Sequence, residues 1–152
     1  MASASAFTSQ HTNKLDSKGR VSIPATYRQV LAEQQTPDGF LCSKAGGPHV
    51  LRGFGKAELD KLGATLDTLQ PGSREYIIRA TYAAQTTMLS FDDEGRVRIP
   101  DELIAHAGLK DRVFFNGLYG LFEMWDPDRF AAIEPGRTLE MQKLLGLDGG
   151  VV

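Results

Sequence analysis

A single cysteine, Cys42, leaves the chain without an intrachain disulfide, so packing and hydrogen bonding have to hold it folded. Its neighbours Phe40 and Leu41 point to a strand in which the thiol packs as a small hydrophobe and not as a nucleophile. Long apolar runs are missing too: no window approaches the roughly 20 residues of a membrane helix, which excludes a membrane-spanning helix. The three histidines, His11, His49 and His106, show neither H-x-x-x-H nor H-E-x-x-H spacing, and no metal site is expected. Gly46-Gly47-Pro48 lacks the lysine and following helix of a phosphate loop; it reads as a connection between strands, and no cofactor or small-molecule substrate is implied. Excess positive charge is also absent. A net charge of -2 speaks against indiscriminate adhesion to nucleic acid, because phosphate binding is driven by clustered Lys and Arg, so any such contact must come from a local patch. The N-terminal MASASAFTSQ has no basic segment followed by an apolar stretch, and a cytoplasmic location is expected.

What is present is the composition of a soluble globular protein, with 41% hydrophobic and 24% charged residues, and an internal repeat. LDSKGRVSIP at 15–24 returns as FDDEGRVRIP at 91–100, an offset of 76 residues in a chain of 152. Asp16, Gly19, Arg20, Val21, Ile23 and Pro24 match Asp92, Gly95, Arg96, Val97, Ile99 and Pro100. The chain reads as a duplicated unit.

Each copy has the same local logic. In the first, Lys14 and Leu15 lead into a tight turn where Gly19 takes a positive φ, and the chain returns as a strand with Val21 and Ile23 on one side and Arg20 and Ser22 on the other. In the second, Thr87, Leu89 and Phe91 alternate with Thr86, Met88 and Ser90, the turn runs to Gly95, and Val97 and Ile99 face inward. Arg96 and Arg98 then share the opposite face. Pro24 and Pro100 end these strands and suit a helix first turn. The spacing of Tyr27, Val30 and Leu31, and of Leu103, Ile104 and Ala107, predicts a helix after each, the second capped by Gly108. Further strands are expected at 39–43, 49–53, 112–115 and 119–125, with Asn116-Gly117 as a hairpin dipeptide. Between the halves, Leu59, Leu62, Leu66 and Leu69 form a stripe on a helix ending before Pro71-Gly72, read as internal packing, and Ser73 caps a second helix carrying Tyr76, Ile77 and Ala80. Trp125, Phe122 and Phe130 read as core or interface residues. Pro127 opens a last helix over 128–133, and the terminal GLDGGVV reads as frayed.

The doubled D-x-x-x-R motif, Asp16 to Arg20 and Asp92 to Arg96, each running into a hydrophobic strand and proline, resembles the MraZ family, bacterial regulators with tandem SpoVT-AbrB-like domains. The resemblance extends through the helical middle to IPDELIAHAGL and FEMWDPDRF. It implies an α+β fold of two pseudo-symmetric AbrB-like β-turn-β-helix units forming a small β-barrel-like core, with a helical linker and a C-terminal helix. The units fall at 7–54 and 83–128, the linker at 55–82, and the C-terminal helix and flexible tail at 129–152. It further implies a nucleoid-associated transcription factor, usually a repressor, on repeated double-stranded promoter elements upstream of the cell-division and cell-wall gene cluster. A ring-shaped homo-oligomer belongs to the same expectation. The motif arginine is implicated in DNA contact, a role carried to Arg20 and Arg96.

The two copies differ in charge. Residues 11–28 hold Lys14, Lys18, Arg20 and Arg28 against Asp16, a net +3; residues 91–108 hold Arg96 and Arg98 against five carboxylates, a net -3. The first copy is therefore expected to dominate DNA contact, with Arg20 most sensitive and Lys14, Lys18 and Arg28 on the phosphates. Asp16 and Asp92, with Gly19 and Gly95, organise the turns. For Arg96 a contact and a local ion pair with Asp92 are balanced; Arg98 fits a solvated strand face better than a contact, and His11 an exposed position as well as one beside DNA. No catalytic constellation is visible. The competing class is a protein-interaction module, antitoxin-like in fold.

Overall fold

Alternating short apolar segments and two Asp-to-Gly turns fold into thirteen elements in the computed structural model, which describes residues 6–147. The first half contributes β1 (Gln10–Lys14), β2 (Arg20–Ser22), α1 (Ala25–Glu33), β3 (Gly39–Ser43) and β4 (Leu51–Phe54). A helical pair follows, α2 (Lys56–Leu66) and α3 (Arg74–Ala84). The second half repeats the pattern as β5 (Thr86–Ser90), β6 (Arg96–Arg98), α4 (Asp101–Ala107), β7 (Arg112–Gly117) and β8 (Phe122–Trp125), and ends in α5 (Pro127–Leu145). The class is α+β, with five helices and antiparallel sheets.

The two halves interleave. Six strands form one sheet in the order β1-β7-β8-β4-β3-β5, while β2 and β6 form a separate two-stranded ribbon. The strands flanking each turn therefore do not zip into a hairpin: β1 pairs with β7, β5 with β3, and the first turn's two arms meet through an isolated Leu15–Val21 bridge and a bond from Asn13 Nδ2 to the Ser22 carbonyl. The reason is burial. Pairing β2 with β6 sets Val21 against Val97, both about 1% exposed, beneath one continuous core, each contributing about 1.5–2 kcal/mol of apolar burial.

That core lies between the sheet, the ribbon and the inner faces of α1 and α4. Tyr27, Leu31, Phe40, Leu51, Phe115 and Phe122 are fully buried in it, and Tyr27 donates its hydroxyl to the Ser9 carbonyl at 2.8 Å. Cys42 is in the same core, as its strand setting implied. A smaller cluster of Val50, Trp125 and Phe130 occupies the other face of the sheet under α5.

Several expected boundaries move. Pro24 and Pro100 occupy the cap position just before α1 and α4, and Gly108 ends α4 in the left-handed conformation as anticipated. β4 begins at Leu51 and not at His49, because His49 has φ 67°, which no strand accommodates. Asn116-Gly117 is not the hairpin turn: both extend β7, and the turn is made farther on, where Tyr119 takes φ 70° and Leu118 donates to the Leu121 carbonyl. Glycine is needed at 117 because the Phe7 carbonyl would meet a Cβ there at 2.6 Å. α2 ends at Leu66, and its leucines are half-buried, not internal. Ser73 does cap α3, accepting from the Tyr76 amide at 3.3 Å. α5 continues through Pro135 for 19 residues; the missing proline N–H breaks one bond, while Arg137 beyond it is tied back to Glu123. Gly146, expected in a frayed tail, closes α5 with φ 70°, its follower Leu147 donating to Gln142; residues 148–152 lie outside the described residues.

Candidate functional site

The repeated motif is built identically twice. In the first turn the Asp16 main-chain carbonyl accepts from the Gly19 amide at 3.0 Å, and Gly19 has φ 80°. Asp16 Oδ1 accepts from the amides of Lys18 (2.9 Å) and Arg20 (2.8 Å), while Oδ2 accepts from Arg20 Nε at 2.7 Å. In the second, Asp92 Oδ1 accepts from the amides of Glu94 (2.9 Å) and Arg96 (3.0 Å), and Oδ2 from Arg96 Nε at 3.0 Å. The four-residue spacing is thus explained: one carboxylate caps the turn and fixes the arginine that leaves it. Bonds from the Arg20 amide first, then from the Arg20 side chain and the Lys18 amide, hold the Asp16 carboxyl down at about 2 against the opposing effect of partial burial. The Asp92 carboxyl is lowered in the same way, led by the Arg96 amide.

The ribbon brings both turns to one surface. Arg20 stands opposite Arg98 and Ser22 opposite Arg96, so with Val21 and Val97 turned inward the other face carries three arginines from the two copies. The turns lock across it: the Ile23 amide donates to the Gly95 carbonyl at 3.1 Å, the Ile99 amide to the Gly19 carbonyl at 2.7 Å, and Arg98 Nε to the Lys18 carbonyl at 3.1 Å. Each motif arginine commits Nε to its aspartate. Among the described residues Arg20 meets no second carboxylate, whereas Arg96 also reaches Glu94, Nη2 to Oε2, at 3.6 Å.

Not every expected site residue joins this surface. Lys18, Arg20, Arg96 and Arg98 do. Arg28 turns inward, donating Nε to the Ile23 carbonyl at 3.1 Å and packing against Gly95, in a recess it shares with Asp38, Asp92 and Asp93. Lys14 belongs to the edge strand β1, opposite Arg112 of β7. Arg112 escaped the reading of the sequence because its pairing with Lys14 is long-range; its place at a strand start was the only local signal. His11 is held by Ser9, at 2.8 Å from Nε2, and His106 Nε2 lies 3.0 Å from the Gly47 carbonyl. Among the described residues no group of three His, Cys, Asp or Glu could hold a metal ion, and no helix is long and apolar enough to cross a membrane.

Residues 82–141 match the family model described as "MraZ protein, putative antitoxin-like". Most of the chain is similar to proteins named transcriptional regulator MraZ. That of Xanthobacter autotrophicus is 40% identical over 91% of this chain and 88% of its own length. The Parvibaculum lavamentivorans protein is 37% identical, over 90% and 83%, and the Azorhizobium caulinodans protein 41% identical, over 83% and 80%.

Proposed function

The chain belongs to the MraZ family, and we propose that it is a sequence-specific DNA-binding transcriptional regulator and not an enzyme, with the outer face of the β2–β6 ribbon as its contact surface. One observation carries this: the pairing of the two copies sets Arg20, Arg98 and Arg96 side by side on a solvent-facing ribbon, each held at Nε, with the outer nitrogens of Arg20 and Arg98 available. Such a planar fork suits two phosphate oxygens or guanine O6 and N7 together. Arg20 is the leading contact because Glu94 competes for Arg96. Lys18 and Lys14 serve phosphates, and Arg28 acts from behind by shaping the second turn. Asp16, Gly19, Asp92 and Gly95 organise the surface without reading DNA.

The interleaved ladders support reading the halves as pseudo-symmetric AbrB-like units, 7–54 and 83–128, closing a barrel-like core, with 55–82 as linker and 129–152 as C-terminal helix and tail. Five cations, three on the ribbon with Lys18 and Lys14 beside it, give a salt slope of only about four to five per protomer. Several protomers, in a ring-shaped homo-oligomer on repeated promoter elements, supply the remaining affinity through effective concentration. Repression of the cell-division and cell-wall cluster, in the cytoplasm at the nucleoid, completes the reading.

The test is a fluorescence-anisotropy titration of the protein and of Arg20→Ala on DNA upstream of its own gene and on scrambled DNA, at two salt concentrations. Tight, salt-sensitive binding to the upstream DNA, lost in a folded Arg20→Ala, supports the proposal. Equal weak binding to both DNAs, or none, refutes it and favours the antitoxin-like interaction module.

A further inference from the structure

The strand registers line up six polar side chains in one row across the large sheet: Gln10, Asn116, Glu123, Arg52, Ser43 and Thr86. The row shares the face of Phe114 and Trp125, away from the main core. Its one carboxylate is engaged elsewhere: Glu123 accepts from Asn116 Nδ2, Trp125 Nε1 and both Nη atoms of Arg137. Arg52, directly opposite Glu123 in the β4–β8 ladder, consequently has no counter-charge there. Among the described residues its side chain makes no hydrogen bond or ion pair, and its Nε is buried without an acceptor. That Nε lies beside Gly46 and is closed off, so it is the outer nitrogens of this unpaired cation that another group can complete.

Arg52 lines a groove of about 290 Å³ where the α2–α3 pair folds over β4. Phe54, Leu59, Leu62, Tyr82 and Leu121 form apolar walls, with the Phe54 and Tyr82 rings 6.1 Å apart. The remaining charges in the groove are already balanced: Lys61 pairs with Glu58 at 3.2 Å, and Arg79 with Glu75 at 2.8 Å. One unbalanced guanidinium therefore sits at an apolar slot.

We propose that this groove binds a small amphiphilic anion, its acidic head on the Arg52 guanidinium and its alkyl or aromatic body between Tyr82, Phe54 and the α2 leucines. Arginine engages such a head with two parallel bonds. The volume is at the lower end of the ~300–1,000 Å³ of ligand pockets, which limits the body to a short chain or a single ring. The site is separate from the β2–β6 ribbon and does not depend on the DNA-binding reading.

The test titrates octanoate and its uncharged counterpart 1-octanol into the full-length ¹⁵N-labelled protein, into Arg52→Gln, and into Leu62→Glu, which places an internal carboxylate in the groove from a half-exposed helix position. Octanoate is expected to shift the amides of Phe54, Leu62, Tyr82 and Leu121 with an affinity at least about tenfold above that of 1-octanol, and both variants to abolish that preference while keeping the wild-type melting temperature within a few degrees. Equal binding of the two probes, no shift up to about 5 mM, or undiminished octanoate preference in Arg52→Gln overturns the proposal. A change in sedimentation of Arg52→Gln overturns it as well, since Arg52 then pairs with a second copy of the chain.

Discussion

Glu123 is only 3% exposed and holds the C-terminal helix to the sheet, so replacing it has a calculable cost. Glu123→Ala strands two donors in a buried setting, Trp125 Nε1 and Asn116 Nδ2, which bond the carboxylate at 2.9 and 3.1 Å. Each stranded donor costs about 1–3 kcal/mol. The lost Arg137 pair adds little, because that side chain is 44% exposed and regains water. The expected total is about 3 kcal/mol, or a fall in Tm of roughly 6–12 °C for a chain of this size. Glu123→Gln keeps an acceptor for both donors and is expected to cost only about 1–2 kcal/mol. Trp125 is the only tryptophan, so urea unfolding followed by its fluorescence reads the affected site directly. Burial raises the Glu123 carboxyl, but bonds from Arg137, Trp125 and Asn116 together with the Arg137 charge lower it on balance from its ordinary 4.5. A depressed carboxylate contributes stability that is fully present above the unfolded value and lost as pH falls through the folded one. The wild type is thus expected to lose this increment below about pH 4.5, and Glu123→Gln to lack that step. Equal costs for the Ala and Gln variants, or a cost under about 1 kcal/mol for Ala, would show that the Trp125 and Asn116 donors do not depend on this carboxylate.

Three further outcomes follow from the same geometry. Gly19→Ala is expected to destabilise by about 1 kcal/mol more than Gly95→Ala in thermal melts, because at similar positive φ its Cβ meets the Ile99 backbone carbonyl at 3.0 Å, whereas at Gly95 it meets the end of the flexible Arg28 side chain. Cys42 is buried and its thiol is pushed up to about 12, so its reaction with Ellman's reagent at pH 8 is expected to be limited by unfolding; rapid native-state labelling would contradict this. With its carboxyl at about 2, Asp16 keeps the turn's contribution at any pH above its unfolded value of 3.8 and loses it only as pH falls through about 2, so NMR shifts of the Lys18 and Arg20 amides are expected to stay flat from pH 8 to pH 5.

The local features were legible because their causes are local. The duplicated motif, the glycines with positive φ at 19 and 95, the proline-led helices and the inward Val21, Ile23, Val97 and Ile99 all arise within a few residues of chain. So did the burial of Cys42 and the cap at Ser73. The errors came where a distant segment decides: Asn116-Gly117 has the chemistry of a turn, yet Phe7 packs on Gly117 and Glu123 takes the Asn116 amide, so both stay in β7. The last helix, expected over 128–133, runs on through Pro135 to Leu145, where Arg137 reaches back to Glu123 on the sheet.

The sequence by itself determined that there are two like units, that each turn fixes one arginine with one aspartate, and that the first copy is basic and the second acidic. Only the tertiary structure decided that the copies do not act apart. Because β2 pairs with β6, Arg20 and Arg98, 78 residues distant in the chain, stand opposite each other on one ribbon, and Arg28 is withdrawn behind it. Register between remote strands is chosen by the burial of Val21 against Val97, a free energy belonging to both halves at once that neither copy carries in its own sequence.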